Sequence, residues 1–396
     1  MRWFLTKCLS VKLLIPLFIM MLALFGCDSG GGDSGDSGND NPTNPGTNDP
    51  GEGNLSGKVV GTIYGNALAG VTVTVGSQSV VTKADGTFRL DNVGTGELAV
   101  IVSGDKIYRR TQAVNTAQGR TVRIDAIETA SNFNLRFYRE LARGNHPKEG
   151  DLFQTHRWIS TTPPTFYINT NAVSTLDGKI DQKTIDTVTR VLREIVPIYT
   201  GGMYSKITVQ TANFPNKMGF NDIPNNGFVI SFDDTLRQEG AYGLTYTDPD
   251  FTSPFTNSIS KTAVFLLDSE QFYKAGSPAN ISFEEIIAHE SGHGFGFRHT
   301  SEPNMGGLPS VMVKTGEYGG TFSIYDELHM SIIYSRPAGS TDIDNDPISG
   351  NAKLMKATRE VFIDERATSG IDNETQRQLA ELPGFALTQE AFESQK

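Results

Sequence analysis

His289-Glu290-Ser291-Gly292-His293-Gly294-Phe295-Gly296-Phe297-Arg298-His299 is the most chemically constrained stretch of this 396-residue chain. On a helix, His289 and His293 stand four residues apart on one face, about 40° apart in projection. Both imidazoles can then meet one ion. Glu290 sits beside the first of them and can reach water on that ion without being a ligand. Gly296 permits the left-handed turn that ends a helix, and the turn returns His299 to the same point. Three imidazoles leave the fourth tetrahedral position of a zinc ion open to water, as in a catalytic site. The chain holds only six histidines. This spacing should arise by chance in roughly one such chain in a hundred thousand, so core or surface histidines without an ion are a poor reading.

The flanking residues carry the grammar of a helix. Ser282-Phe283-Glu284-Glu285 is a capping box, with Ser282 as N-cap and Glu285 as its partner. Ile281 and Ile286 can staple the entry. Phe283, Ile286, Ile287 and Gly294 form a stripe for the core. Gly292 and Gly294 each weaken a helix by about 1 kcal/mol relative to Ala. Their presence points to close packing beside the metal.

The eleven-residue pattern resembles the metzincin clan of zinc endopeptidases. The resemblance implies His289, His293 and His299 as ligands of one catalytic zinc and Glu290 as catalytic base. It also implies a methionine turn beneath the metal. Met312, in Ser310-Val311-Met312, lies 13 residues after His299 and is the candidate; Met305 is nearer, but Asn304-Met305-Gly306-Gly307 reads as a loop. Some clan members carry a Tyr two residues after that Met. Lys314 stands there instead, and Tyr318 is nearby without an assigned role. Ser323-Ile324-Tyr325-Asp326 looks like a further helix start, and Tyr325–Tyr334 a closing helix before Pro337, as in matrixin-like members. His329 on that helix reads as a packing residue.

Upstream, Thr165–Thr170 reads as a strand and Ile185–Tyr199 as an amphipathic helix. Lys206–Thr211, Gly227–Phe232, Ala241–Tyr246 and Thr262–Asp268 read as strands. Together they predict an α+β domain over residues 164–337, a twisted mixed sheet with a zinc-binding active-site helix. Thr262–Asp268 is the expected cleft edge, along which an extended peptide would pair.

The other end of the chain has a different character. Arg2, Lys7 and Lys12 precede an apolar run, Leu13–Phe25, too short to span a bilayer, which needs about 20 residues. Leu24-Phe25-Gly26-Cys27 resembles a bacterial lipoprotein signal. The resemblance implies cleavage after residue 26 and lipidation of Cys27, with Cys8 lost in the signal. A Gly/Ser/Asp/Asn-rich tether follows over residues 27–54. Residues 55–128 read as an all-β sandwich. Its pattern Gly61-Thr-Ile-Tyr, Leu68-Ala-Gly-Val-Thr-Val and Thr82-Lys-Ala-Asp-Gly-Thr-Phe resembles the carboxypeptidase regulatory-like domain, a transthyretin-like sandwich that implies no catalysis. Residues 129–163 form a connector with a short helix, Phe133–Arg143; His146 and His156 there read as surface or packing residues. Residues 338–396 form a polar extension, with short helices expected over Ala352–Arg366 and Glu374–Leu382. Asp342-Ile343-Asp344-Asn345-Asp346 has the spacing of a calcium loop. Calcium is therefore carried as a secondary reading, although Pro347 replaces the needed Gly and no matching Glu follows.

Composition narrows the function. A net charge of −11 argues against nucleic acid as a partner. Two cysteines exclude a disulfide scaffold and a multi-thiolate zinc site. With Cys27 lipidated no thiol remains, so a cysteine-switch latency is excluded. The expected function is a zinc endopeptidase of the bacterial cell envelope, extracytoplasmic and membrane-tethered through Cys27, acting on a protein or peptide substrate. Alternatives are an envelope binding or adhesion lipoprotein with an inactive zinc domain, and a zinc hydrolase of non-peptide substrates.

Overall fold

The alternation at Val71-Thr72-Val73-Thr74-Val75 becomes strand β2 (Thr72–Val75), with Val73 and Val75 buried and the threonines half-buried. Similar runs give β1 (Leu55–Gly61), β3 (Gln78–Val81), β4 (Thr87–Leu90), β5 (Glu97–Ser103), β6 (Arg110–Asn115) and β7 (Thr121–Ala126). Asp85-Gly86 makes a turn before β4, where the Thr87 backbone N–H donates to the Asp85 carboxylate at 3.0 Å. The strands form two sheets. One has the order β4-β1-β7; the other has the order β13-β6-β5-β2-β3, with β13 (Asp344–Asn345) arriving from far along the chain. Leu55, Val59, Phe88 and Ile124 of the first sheet meet Val73, Val100, Val102 and Val114 of the second in one core. Burying alternate apolar residues between two sheets is what the period-two pattern calls for.

The structure is a computed structural model that describes residues 53–144, 152–171, 180–215, 218–233, 235–236, 241–249, 258–267, 282–300, 310–313, 322–348 and 360–365, all within the unit Asp49–Lys396. The architecture is sheet-rich, with four α-helices among the described residues. These are α1 (Leu135–Arg143), α2 (Gln182–Tyr199), α3 (Phe283–Gly294) and α4 (Ile324–Ser335).

A second sheet system contains β8 (Thr165–Asn169), β9 (Val209–Ala212), β10 (Gly227–Phe232), β11 (Ala241–Pro249), β12 (Ile259–Leu266) and β14 (Glu360–Glu365), in the order β14-β11-β12-β10-β8-β9. The strands β9, β8, β10 and β12 are mutually parallel, while β11 runs antiparallel to both β12 and β14. Helix α2 crosses from β8 to β9. It starts one turn earlier than its apolar periodicity suggests, because the Asp181 carboxylate caps it by accepting from Thr184 N at 2.7 Å. Val188, Val191, Leu192, Ile195 and Tyr199 form its buried face. Helix α3 packs against β11, β12 and α2.

Two expectations are corrected by this topology. The strand read as Thr262–Asp268 is β12, and it is not an edge: β10 pairs on one side and β11 on the other. Its run Ala263-Val264-Phe265-Leu266 is buried throughout, the mark of a strand covered on both faces. The helix expected over Ala352–Arg366 is replaced at Glu360–Glu365 by β14, because Val361-Phe362-Ile363 are strand formers and β11 offers an edge to pair with. Helix Glu374–Leu382, the signal region and residues 27–52 of the tether, Cys27 included, lie outside the described residues.

The connector is part of the second core. Phe133, Phe137, Tyr138 and Leu141 are buried beside Met330 and Ile333 of α4. The start of the extension is also built in. Arg336 donates to Asp344 at 2.6 and 3.0 Å, to Asp125 of β7 at 2.7 Å and to Thr62 at 3.1 Å. Arg110 of β6 reaches the same Asp344 at 2.7 Å and Asp346 at 3.3 Å. Asp342 pairs with Arg139 at 2.7 Å. The calcium reading is corrected by these contacts: the three carboxylates of Asp342–Asp346 are held by arginines at the joint between the sandwich and the second core.

Candidate metal centre

Helix α3 begins as its sequence specifies. Ser282 Oγ accepts from Glu285 N at 3.2 Å, and Glu285 accepts from Ser282 N at 2.7 Å. Ile281, the other half of the expected staple, lies outside the described residues. Apart from Glu284 and Glu285, every residue of α3 is buried. The C-terminal end is a Schellman turn: Phe297 N donates to Gly292 O at 3.1 Å and Gly296 N to His293 O at 2.8 Å. Gly296 has φ +92°, and a Cβ there would strike the His156 carbonyl, so glycine is required on two counts. This turn carries His299 back over the helix.

The three imidazoles converge. Nε2 of His293 lies 3.1 Å from Nε2 of His289 and 3.1 Å from that of His299; the third separation is 3.2 Å. Nδ1 of His289 donates to Val311 O at 2.7 Å, and Nδ1 of His293 donates to Phe297 O at 2.7 Å. A carbonyl oxygen only accepts, so both Nδ1 atoms carry a proton, the tautomer that puts the ligating lone pair of a neutral ring on Nε2. Burial, with His299 and His289 close by, pushes the His293 pKa well below its ordinary value and keeps it neutral. Nε2 lone pairs that meet at about 3 Å repel one another, and a cation between them removes the repulsion. Zinc–nitrogen bonds of about 2.0–2.1 Å place tetrahedral ligand nitrogens about 3.3–3.4 Å apart, close to the separations here. Carbonyls on the far ring nitrogens are the usual outer support of metal-binding histidines. His289, His293 and His299 therefore form a group that could hold a metal ion.

Met312 packs against α3 at Gly292. It is fully buried, and a Cβ on Gly292 would collide with its sulfur. That is the close packing the helix glycines pointed to; Gly294 does the same against Phe228 and Thr262. The turn is pinned twice. Thr300 N donates to Met312 O at 2.8 Å. Ser310 Oγ accepts from Met312 N at 3.1 Å and donates to Asp326 of α4 at 2.7 Å. The Asp326 carboxylate also closes the capping box of α4 with Ser323. Its burial raises its pKa to about 6.

Glu290 is fully buried. Its carboxylate Oε2 accepts from Thr245 Oγ1 at 2.5 Å, and the same hydroxyl lies 2.9 Å from the Glu290 carbonyl. A Cβ on Gly243 would overlap that carboxylate, so Gly243 leaves the room it occupies. Gly243 and Thr245, two apart on β11, share one face of the strand. Sequence reasoning did not single out Gly243, Thr245 or Asp326 as parts of the site. Tyr199 was also missed; its hydroxyl donates to Ala288 O, one residue before His289. The only sequence signal for any of them was Asp326 in its capping box.

The other candidates fall elsewhere. His156 is not in the metal group; its carbonyl abuts Gly296. His329 is buried among Phe133, Phe137 and Tyr138. Its Nδ1 donates to Tyr325 O at 2.6 Å and its Nε2 accepts from Asn134 N at 2.9 Å. Burial depresses its pKa to about 4. Met305, Lys314, Tyr318 and His146 lie outside the described residues.

No family model matches this chain, and no curated protein matches it. Among solved structures it is similar to a protein of unknown function from Bacteroides fragilis, with 18% identity over 26% of this chain and 34% of that one and a TM-score of 0.17. The chain spans about a third of that structure's length. A likeness of that size defines no shared fold. Among the described residues, no helix is long and apolar enough to cross a membrane.

Proposed function

We propose that this chain is a zinc endopeptidase with a metzincin-like domain over residues 164–337, preceded by a transthyretin-like accessory sandwich and tethered to the bacterial envelope, on its extracytoplasmic side, through lipid on Cys27. The observation that carries the reading is the convergence of three Nε2 atoms at 3.1–3.2 Å on and just after a helix that also holds Glu290. Three nitrogen donors with no thiolate suit zinc, with one position left open. His289, His293 and His299 would hold the ion, which supplies a Lewis acid for the scissile carbonyl and lowers the pKa of its water towards 7.

The chain's own groups do the rest. Glu290 accepts the proton of the attacking water and delivers it to the leaving amine. The Thr245 hydroxyl holds one carboxylate oxygen, which fixes the side chain that must move the proton. The Val311 and Phe297 carbonyls fix the rings of His289 and His293. Met312 supports the helix from below through Gly292. Digestion of a peptide library by the purified chain, with and without a chelator and with zinc restored, tests the reading. Cleavage lost on chelation and regained with zinc is expected. Cleavage that ignores the chelator contradicts it, and a zinc-loaded chain that cleaves no peptide favours the adhesion alternative.

A further inference from the structure

Strand β11 has two neighbours that differ in kind. On its inner side β12 belongs to the sheet's buried centre. On its outer side the partner is β14, residues 360–365, drawn from the end of the chain. The register sets Asp364 opposite Gly243 and Phe362 opposite Thr245, the two β11 residues that touch Glu290. Beside β14 lies α3, the helix that carries His289 and His293. Paired strands stand about 5 Å apart. An extended peptide in the place of β14 therefore runs one strand spacing from the backbone that touches Glu290.

We infer that residues 360–365 occupy the peptide-binding edge of β11 in cis and block it, so that a substrate polypeptide must displace β14 to pair with β11. The inference takes its functional meaning from the peptidase reading. Three features support it. The segment is extended and antiparallel to β11, the arrangement by which a foreign peptide adds to a sheet edge. It is not part of the continuous order that builds the sheet: β8 to β12 span residues 165–266, and β14 returns after the chain has left for the sandwich at β13. Eleven residues join Ile348 to Glu360, which can span at most about 40 Å. That link makes the competition of β14 with a substrate intramolecular.

Two full-length variants test this in opposite directions. Phe362→Pro with Ile363→Pro releases the strand: adjacent residues send their N–H groups to opposite sides, so one proline must remove a donor aimed at β11. Thr247→Cys with Glu360→Cys, directly opposed in the register, locks it with a disulfide confirmed by peptide mapping and opened by a phosphine reductant. The primary readout is binding, in a Glu290→Gln background, of a fluorescent peptide of residues 358–367. The released chain should bind it at least about tenfold more tightly than the locked chain, and reduction of the lock should restore binding. Affinity that is the same in released and locked chains, including none in either, overturns the inference. With Glu290 intact, release should raise peptide turnover about tenfold and locking should lower it by as much. The expected binding pattern without turnover in any variant leaves the blocked edge standing and overturns the peptidase reading alone.

Discussion

At the scale of single residues, the candidate metal centre depends on side chains whose size leaves no slack. Gly292 faces the Met312 sulfur, so Gly292→Ala should overpack that contact by about 1–3 kcal/mol even though alanine favours helix by about 1 kcal/mol. Thermal unfolding of the variant checks this; unchanged stability would mean that Met312 moves freely. His329 gives a pH signature of its own. It is neutral in the fold, with its pKa depressed to about 4 from an ordinary value of 6.5. Its contribution to stability is therefore present above about pH 6.5 and is lost as pH falls towards 4, by on the order of 3 kcal/mol. Denaturant unfolding of wild type and His329→Gln, both metal-free, should show a steeper loss of stability below pH 6.5 in the wild type; titration of His293 is common to both and cancels in the difference. The convergence of His289, His293 and His299 was legible because eleven contiguous residues and helix geometry fix it. Thr245 was not, because its place beside Glu290, 45 residues away, is set by sheet order rather than by any local pattern.

At the scale of elements, helix α4 does more than close the domain. Its capping carboxylate, Asp326, also holds Ser310 at the foot of the turn that carries Met312. Ser310→Ala removes a buried donor to Asp326 and a partner of Met312 N, and should cost about 1–3 kcal/mol. A weaker metal affinity in competition with a chromogenic chelator should accompany the loss; full affinity would show that the turn does not depend on α4. The capping box at Ser282 and the helix start at Ser323 were read directly because the capping partners are three residues away. Strand roles were harder. The unbroken apolar run Ala263–Leu266 already spoke for a central strand, and only β11, paired on its far side by distant residues, hid that fact. The short run Val361-Phe362-Ile363 fits helix or strand by pattern alone, and the available edge decides it.

At the scale of the whole molecule, the sandwich and the second core meet through a buried ionic joint. Arg336 is 1% exposed and its partner Asp344 is fully buried. Removing one member leaves an uncompensated charge, so Arg336→Met should lose about 3–5 kcal/mol, whereas exposed pairs such as Arg190–Glu194 should be worth less than about 1 kcal/mol. Comparing the melting temperatures of Arg336→Met and Arg190→Ala checks the contrast. Sequence alone placed Asp342–Asp346 as an acidic cluster but could not show the arginines that meet it, since Arg110 and Asp344 are 234 residues apart. The central claim, that His289, His293 and His299 hold a metal on which Glu290 acts as base, has a direct test. Zinc content and peptide turnover should be measured for Glu290→Gln and its parent, both carrying Phe362→Pro and Ile363→Pro so that the edge of β11 is open. One equivalent of zinc in each, with turnover lower by about 10²–10⁴-fold in the glutamine variant, is the expected result. Undiminished turnover by Glu290→Gln with zinc bound would contradict the claim.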